Sequence, residues 1–262
     1  MAKRDIGGWL TNPIGETSEP MSLISVDEAL NRLVAGVKPL EAEDVPLAEA
    51  NGRVLAAPLS ARRTQPPFPA SAMDGYAVRA ADVAKVPATL KIIGEAPAGH
   101  GFSGSVGPGE AVRIFTGAPV PEGADAIVIQ EDTRRDGDRV TALETVPQGS
   151  FVRKAGLDFT KGQELISAGR RLNFREVALA AAMNHAHVRA VRRPRVAILA
   201  TGDELVRPGD QPGPDQIIAS NSFGVAALVE DCGGQPIDLG IAEDTEAALA
   251  VRIREAVAAK AD

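Results

Sequence analysis

The side chains whose setting points most directly to chemistry are the carboxylates of Asp74, Asp203, Glu204 and Asp244. Asp74 follows Pro66-Pro67-Phe68-Pro69-Ala70-Ser71-Ala72-Met73 and precedes Gly75-Tyr76-Ala77-Val78. Three prolines within four residues stiffen this approach, because each ring fixes φ and removes an N–H donor. A rigid lead-in beside a flexible glycine can hold one acidic group in a fixed place. The same residues also suit an edge-strand connection in which Asp74 and Gly75 serve only turn chemistry. Further on, Thr201-Gly202-Asp203-Glu204 follows the apolar run Arg195–Ala200, and Glu243-Asp244-Thr245 follows Pro236–Ile241. If both runs are strands leaving one sheet edge, their carboxylates can converge. Hard cations such as Mg²⁺ take such oxygen ligands, keep several waters and share substrate phosphates. The alternative is that Asp203 and Asp244 only cap helices or turns. Arg153-Lys154, close to Gly156, is a basic pair that could contact phosphate, or else a solvated charged loop.

The elements that must position these groups can be read from periodicity. Ser25-Val26-Asp27-Glu28 has capping-box spacing, and Ala29, Leu30, Leu33, Val34 and Val37 then share a helical face ending between Gly36 and Pro39. Pro46–Ala50 reads as a short helix stopped by the left-handed pair Asn51-Gly52. From Tyr76 to about Val152, short apolar runs (Leu90–Ile93, Val112–Phe115, Ala126–Ile129, Arg139–Leu143) alternate with turns, the pattern of a small β domain. The glycine pattern Gly99–Gly104 is rejected as a dinucleotide fingerprint, since Gly107-Pro108-Gly109 follows where a helix should open. Asn173–Met183 reads as a polar-capped helix. His185 and His187 have strand spacing and would share a face, with no third metal ligand nearby. Arg195–Ala200 looks like a strand buried on both faces of a parallel sheet. Ser220 or Asn221 caps a helix that stops at Gly233-Gly234, a second strand follows over 236–241, and a last helix carries Leu249, Ile253 and Val257. The order is βαβα, in which ligands bind outside the carboxyl ends of the strands. Both acidic clusters sit there.

Composition narrows the function. Aromatic residues are only 3% against 44% hydrophobic, so the cores must be aliphatic. A net charge of −7 argues against a non-specific nucleic-acid binder, which carries a basic footprint. Cys232 is the single cysteine, which excludes an intrachain disulfide and suits a cytoplasmic protein. No apolar run is long enough to span a membrane, and Lys3 and Arg4 are not followed by the apolar core of a signal peptide.

Three segments carry a resemblance. Ser71-Ala72-Met73-Asp74-Gly75-Tyr76-Ala77 resembles the SAMDGYA signature of the MoeA-type molybdopterin molybdenumtransferases, the family that includes the E domain of gephyrin. Arg113–Pro121 is similar to a second family motif and Ala200–Leu205 to a third, in matching order from about Ser22 onward. The resemblance implies α/β and β modules: a flexible tail over 1–21, an elongated α+β linker domain from 22–68 and 153–192, a small β domain over 69–152, and an incomplete doubly wound α/β, molybdopterin-binding-like domain over 193–262. It implies Mg²⁺-assisted insertion of molybdate into adenylated molybdopterin with release of AMP, in a homodimer whose sites form between subunits and which contacts the molybdopterin adenylyltransferase. The family's active-site acids fall on Asp74, Glu204 and Asp244, with Thr116 as a neighbouring hydroxyl and Glu204 and Asp244 toward the metal. Arg153, Asp158, Thr201, Gly202, Asp203, Ser220 and Asn221 fall on segments expected to bind the pterin nucleotide. One departure is Ala219, where the family usually has Asp before its Ser-Asn pair. A gephyrin-like scaffold, or a chain that keeps the fold without the chemistry, is the competing function.

The βαβα unit stops at Asp262, and no segment matches the family's GGxSxG loop or its closing β domain. The expectation is an incomplete transferase. Purified chain should aggregate or bind adenylated pterin very weakly while its β domain stays intact, and insertion at the rate of a full-length family enzyme would contradict this.

Overall fold

A computed structural model describes residues 24–262; the tail expected over residues 1–21 lies outside the described residues. Residues 24–39 belong to a unit of their own. Its helix α1 (Val26–Ala35) begins where the Ser25 hydroxyl accepts from Glu28 N (3.1 Å) and ends at Gly36. Only half of the expected capping box forms, because the Glu28 carboxylate accepts from Arg32 Nε (2.7 Å) one turn on. No residue of α1 is buried, and Leu30 and Leu33 are exposed.

Residues 40–262 form the second unit. After β1 (Ala42–Pro46), a 3₁₀ turn over Leu47–Glu49 leads to Gly52, whose φ of +76° is the left-handed turn that Asn51-Gly52 favours. The two-residue strands β2 (Leu59–Ser60) and β3 (Ala70–Ser71) flank the prolines. Next come β4 (Gly75–Val78), β5 (Ala88–Ala96), β6 (Glu110–Ile114), β7 (Ala126–Ile129), β8 (Thr133–Asp136) and β9 (Arg139–Ala142), which form one sheet of order β7-β4-β6-β5-β9-β8. The apolar runs of the sequence become β5, β6, β7 and β9. Thr133-Arg134-Arg135-Asp136 has no apolar face, and pairing with β9 makes it a strand.

The edge-strand reading of the proline-led stretch is overturned. β4 is an inner strand, antiparallel to β6 on one side and to β7 on the other, with all four residues buried. Both sheet faces are covered. Tyr76 and Val78 pack with Val83, Leu90 and Val140, whereas Ala77 packs with Val112, Ile114 and Ile127. The Gly99–Gly104 pattern lies in the β5–β6 connection and opens no helix.

β10 (Val152–Arg153) pairs antiparallel with β3, so Arg153 lies on a strand and the loop reading is corrected. β11 (Glu164–Ile166) pairs with β2. Helix α2 (Phe174–Ala182) carries a complete capping box between Asn173 and Glu176, and β12 (His187–Val191) pairs with β1. Leu55, Leu59, Phe159, Leu172, Met183 and Val188 form the core that joins these segments. The two histidines do not share a face: His185 is buried with Nε2 2.9 Å from Ser60 O, and His187 is exposed.

β13 (Arg195–Thr201) leads to the parallel pair β14 (Leu205–Val206) and β15 (Ile217–Ile218), then to α3 (Asn221–Asp231), β16 (Gln235–Ala242) and α4 (Glu246–Ala258). β13 and β16 are parallel, giving the βαβα order. β13 is not buried on both faces as expected; Ile198 is its only buried residue, because a single strand flanks it. Leu55 is 1% exposed in a well-packed core. Leu55→Ala should therefore lower stability by about 2–5 kcal/mol, read as a reduced urea midpoint.

Candidate active site

The loop that carries Asp74 is stitched on both sides. Ser71 N donates to Ala118 O (2.9 Å), Gly117 N to Ser71 O (2.8 Å), and Ala72 N to Phe151 O (2.8 Å). The buried Ser71 hydroxyl donates to Met73 O (2.6 Å) and closes the last turn before Asp74. At the next residue the sheet leaves no space: a Cβ on Gly75 would overlap the carbonyl of Val128 on β7. Glycine is needed here for close strand approach, not for turn geometry.

Held this way, Asp74 Oδ1 accepts two hydrogen bonds from one residue, Thr116 N (2.8 Å) and Thr116 Oγ1 (2.8 Å). These bonds, the backbone one first, hold the Asp74 carboxyl below its ordinary value of 3.8; the Arg113 charge adds to the effect and partial burial opposes it. Among the described residues Oδ2 has no hydrogen-bond partner, so one oxygen of an ionised carboxylate is free to orient a ligand. Arg153 lies on the strand beside this loop, opposite Ala70, and Asp158 N donates to Gln65 O (3.0 Å). The segment 152–158 thus runs along the proline lead-in.

Sequence reasoning missed Arg113. It is the one charged residue within the run Ala111-Val112-Arg113-Ile114-Phe115, on β6 directly opposite Tyr76. A cation set into an apolar strand was the available signal.

The second group lies at the carboxyl ends of β13 and β16. Gly202 takes φ +146° and donates to Ala242 O (3.2 Å), tying the two strand ends together. Asp203 Oδ1 accepts from Asp244 N (3.2 Å), so Asp203 rather than Glu204 is bonded to the Asp244 loop. The Glu204 carboxylate folds over Gly202, in space that a Cβ there would fill. Thr245, not Asp244, caps α4, accepting from Ala248 N (3.2 Å), which removes the capping reading of Asp244. Ser220 stands at the start of α3 without a side-chain capping bond. Thr201, Ser220 and Asn221 line a cleft of about 430 Å³ with Leu205, Ile217 and the buried Ala219. Among the described residues no hydrogen bond or ion pair joins the Asp74 group to the Asp203–Asp244 group. No three metal-ligating side chains converge among them either. Glu204 and Asp244 are both exposed, and Mg²⁺ commonly takes only one or two protein oxygens and completes its shell with water and phosphate.

A model of the MoeA N-terminal region (domain I and II) matches residues 24–184. The chain belongs to the MoeA family. Among relatives, it is 44% identical over 222 residues to a molybdopterin molybdenumtransferase of Nostoc sp., covering 83% of this chain and 51% of that protein. It is 34% identical over 227 residues to a molybdopterin molybdenumtransferase of Haemophilus influenzae, covering 86% and 56%. A MoeA crystal structure from Pyrococcus horikoshii superposes with a TM-score of 0.82 at 33% identity, over 90% of this chain and 64% of that one. The chain spans about half the length of the curated relatives it matches. The MoeA likeness supports the mixed α/β and β architecture described above.

Because Thr116 supplies both bonds to Asp74, Thr116→Val removes one and keeps the other. The Asp74 midpoint should rise toward 3.8 without reaching it, as followed by ¹³C NMR of its carboxyl carbon. The sign is fixed by linkage: a carboxylate with a lowered folded pKa stabilises the fold above its unfolded value and loses that contribution as pH falls through the folded one. The variant should lose less stability than the parent on acidification below 3.8.

Proposed function

We propose that this chain carries part of a molybdenum-insertion site in molybdenum cofactor biosynthesis, with adenylated molybdopterin and molybdate as substrates and AMP as the leaving group. The observation that carries the proposal is the clamp of Thr116 on Asp74, which leaves one carboxylate oxygen open. The names of the relatives give the reaction class: both are molybdopterin molybdenumtransferases.

In this reading Asp74 orients molybdate or an attacking water, and Thr116, which fixes Asp74, lies next to the incoming oxyanion. Thr201, Ser220 and Asn221, which line the strand-end cleft, receive the nucleotide part of the substrate together with Gly202 and Asp203 next to it in the chain. Arg153 and Asp158, on the segment beside the proline lead-in, contact its phosphates and pterin. Glu204 and Asp244 would hold Mg²⁺, which when bound offsets the repulsion between an oxyanion and a diphosphate. Ala219 removes one carboxylate from that cleft relative to the family pattern, which weakens metal binding there. As the family resemblance implies, a second subunit in a homodimer completes the site. The setting is the cytoplasm, and the molybdopterin adenylyltransferase is the partner that delivers the substrate.

Asp74→Asn keeps the shape of the side chain and removes its charge. In a complete enzyme assayed for molybdenum transfer from molybdate to adenylated molybdopterin, the substitution should lower turnover by at least about tenfold with a nearly unchanged melting temperature. Glu204→Gln should raise the Mg²⁺ concentration needed for half-maximal transfer. Full activity of the Asp74→Asn protein would overturn the assignment.

A further inference from the structure

Arg113 holds the main chain that follows Asp74. Its Nη1 donates to Gly75 O (3.0 Å) and its Nη2 to Gln130 Oε1 (2.8 Å). Gln130 in turn donates its backbone N–H to Asp74 O (3.0 Å). The carbonyls of Asp74 and Gly75 are therefore fixed through one guanidinium and the glutamine it grips. The plane of that guanidinium is itself fixed, because it lies over Tyr76 (5.2 Å to the centroid) and Phe115 (4.8 Å). A lysine could supply the charge at this position but not the planar fork.

The charge has no acidic partner. Among the described residues no carboxylate forms an ion pair with Arg113, which is half-buried in a strand whose neighbours Val112 and Ile114 are fully buried. Of the other charged groups close to the loop, Glu131 accepts from Gln130 Nε2 (3.4 Å) and Arg153 lies on β10; neither bonds to Asp74. The Arg113 charge assists the depressed ionisation of the Asp74 carboxylate, after the two Thr116 bonds.

We infer that Arg113 is a positioning residue of the Asp74 site: it holds the peptide units that follow Asp74 and brings a positive charge without an ion-pair partner close to its carboxylate. An oxyanion drawn to a carboxylate meets like-charge repulsion, and a fixed cation near that carboxylate reduces it. This last role rests on the function proposed above; the positioning role does not.

The experiment compares Arg113→Met, Arg113→Gln and Arg113→Lys in the full chain. The carboxyl carbon of Asp74 is titrated by NMR in this chain, and molybdenum transfer to adenylated molybdopterin is measured in a complete enzyme carrying the same substitutions. The neutral variants should raise the Asp74 midpoint and lower transfer about tenfold, and Arg113→Lys should restore the low midpoint with partial recovery of transfer. Arg113→Gln stands in if Arg113→Met fails to fold. Any folded neutral variant, with the amide spectrum of β4 and β6 intact, whose Asp74 titrates as in the parent overturns the inference. Failure of the functional proposal reads differently: Asp74→Asn would leave transfer unchanged, whatever the titration shows.

Discussion

The contact between Gly75 and the Val128 carbonyl is the constraint on which the Asp74 site depends. β4 approaches β7 so closely that the first residue of the strand has no room for a side chain. That closeness fixes where the proline-led loop must end, and hence where Asp74 emerges. Thr116 reaches it because β6, the other neighbour of β4, ends at Ile114, two residues before Thr116. The hydrogen bonds to Asp74 are therefore a consequence of sheet order. Moving β4 to an edge would leave the same residues in sequence and lose the geometry.

Much of this was legible in the sequence, for reasons that differ between regions. α2 was readable because its information is local: Asn173 and Glu176 are three residues apart and satisfy each other's backbone. β5, β6, β7 and β9 were readable because apolar runs bounded by turns have few other uses. The inner position of β4 was not, because Tyr76-Ala77-Val78 is equally compatible with one covered face or two, and long-range pairing decides between them. β8 and β10 were missed for the same reason, as strands that exist only because a partner is present. At the site, Asp74 and Thr116 are 42 residues apart and meet through the sheet. The family motifs pointed to both, but not to the two hydrogen bonds that join them. Arg113 stands in one of those motifs, but residue type alone does not reveal its grip on Gly75 O, because an arginine on a strand usually faces water.

The α/β module repeats the point with acids. Asp203 and Glu204 are adjacent in sequence and do different things. Asp203 accepts from the backbone of the neighbouring loop, while Glu204 folds back over Gly202. Their shared location at the strand ends was readable from the βαβα order. Their division of labour was not, because it depends on the φ of +146° at Gly202, which turns the chain just before both of them. The expected burial of β13 failed on a similar count, since an apolar run reports what a strand can tolerate and not how many neighbours it has.

The stitching of residues 69–72 to residues 117–120 and 151–153 has a consequence for how a ligand would be received. Loops that close over a ligand give up conformational entropy at the moment of binding, and part of the interaction energy is absorbed in ordering them. Here the backbone on both sides of Asp74 is already bonded to two other segments before any ligand arrives. The disorder was surrendered once, during folding. Asp74 then acts as an anvil rather than a jaw, and any motion needed to enclose a substrate must come from the other side.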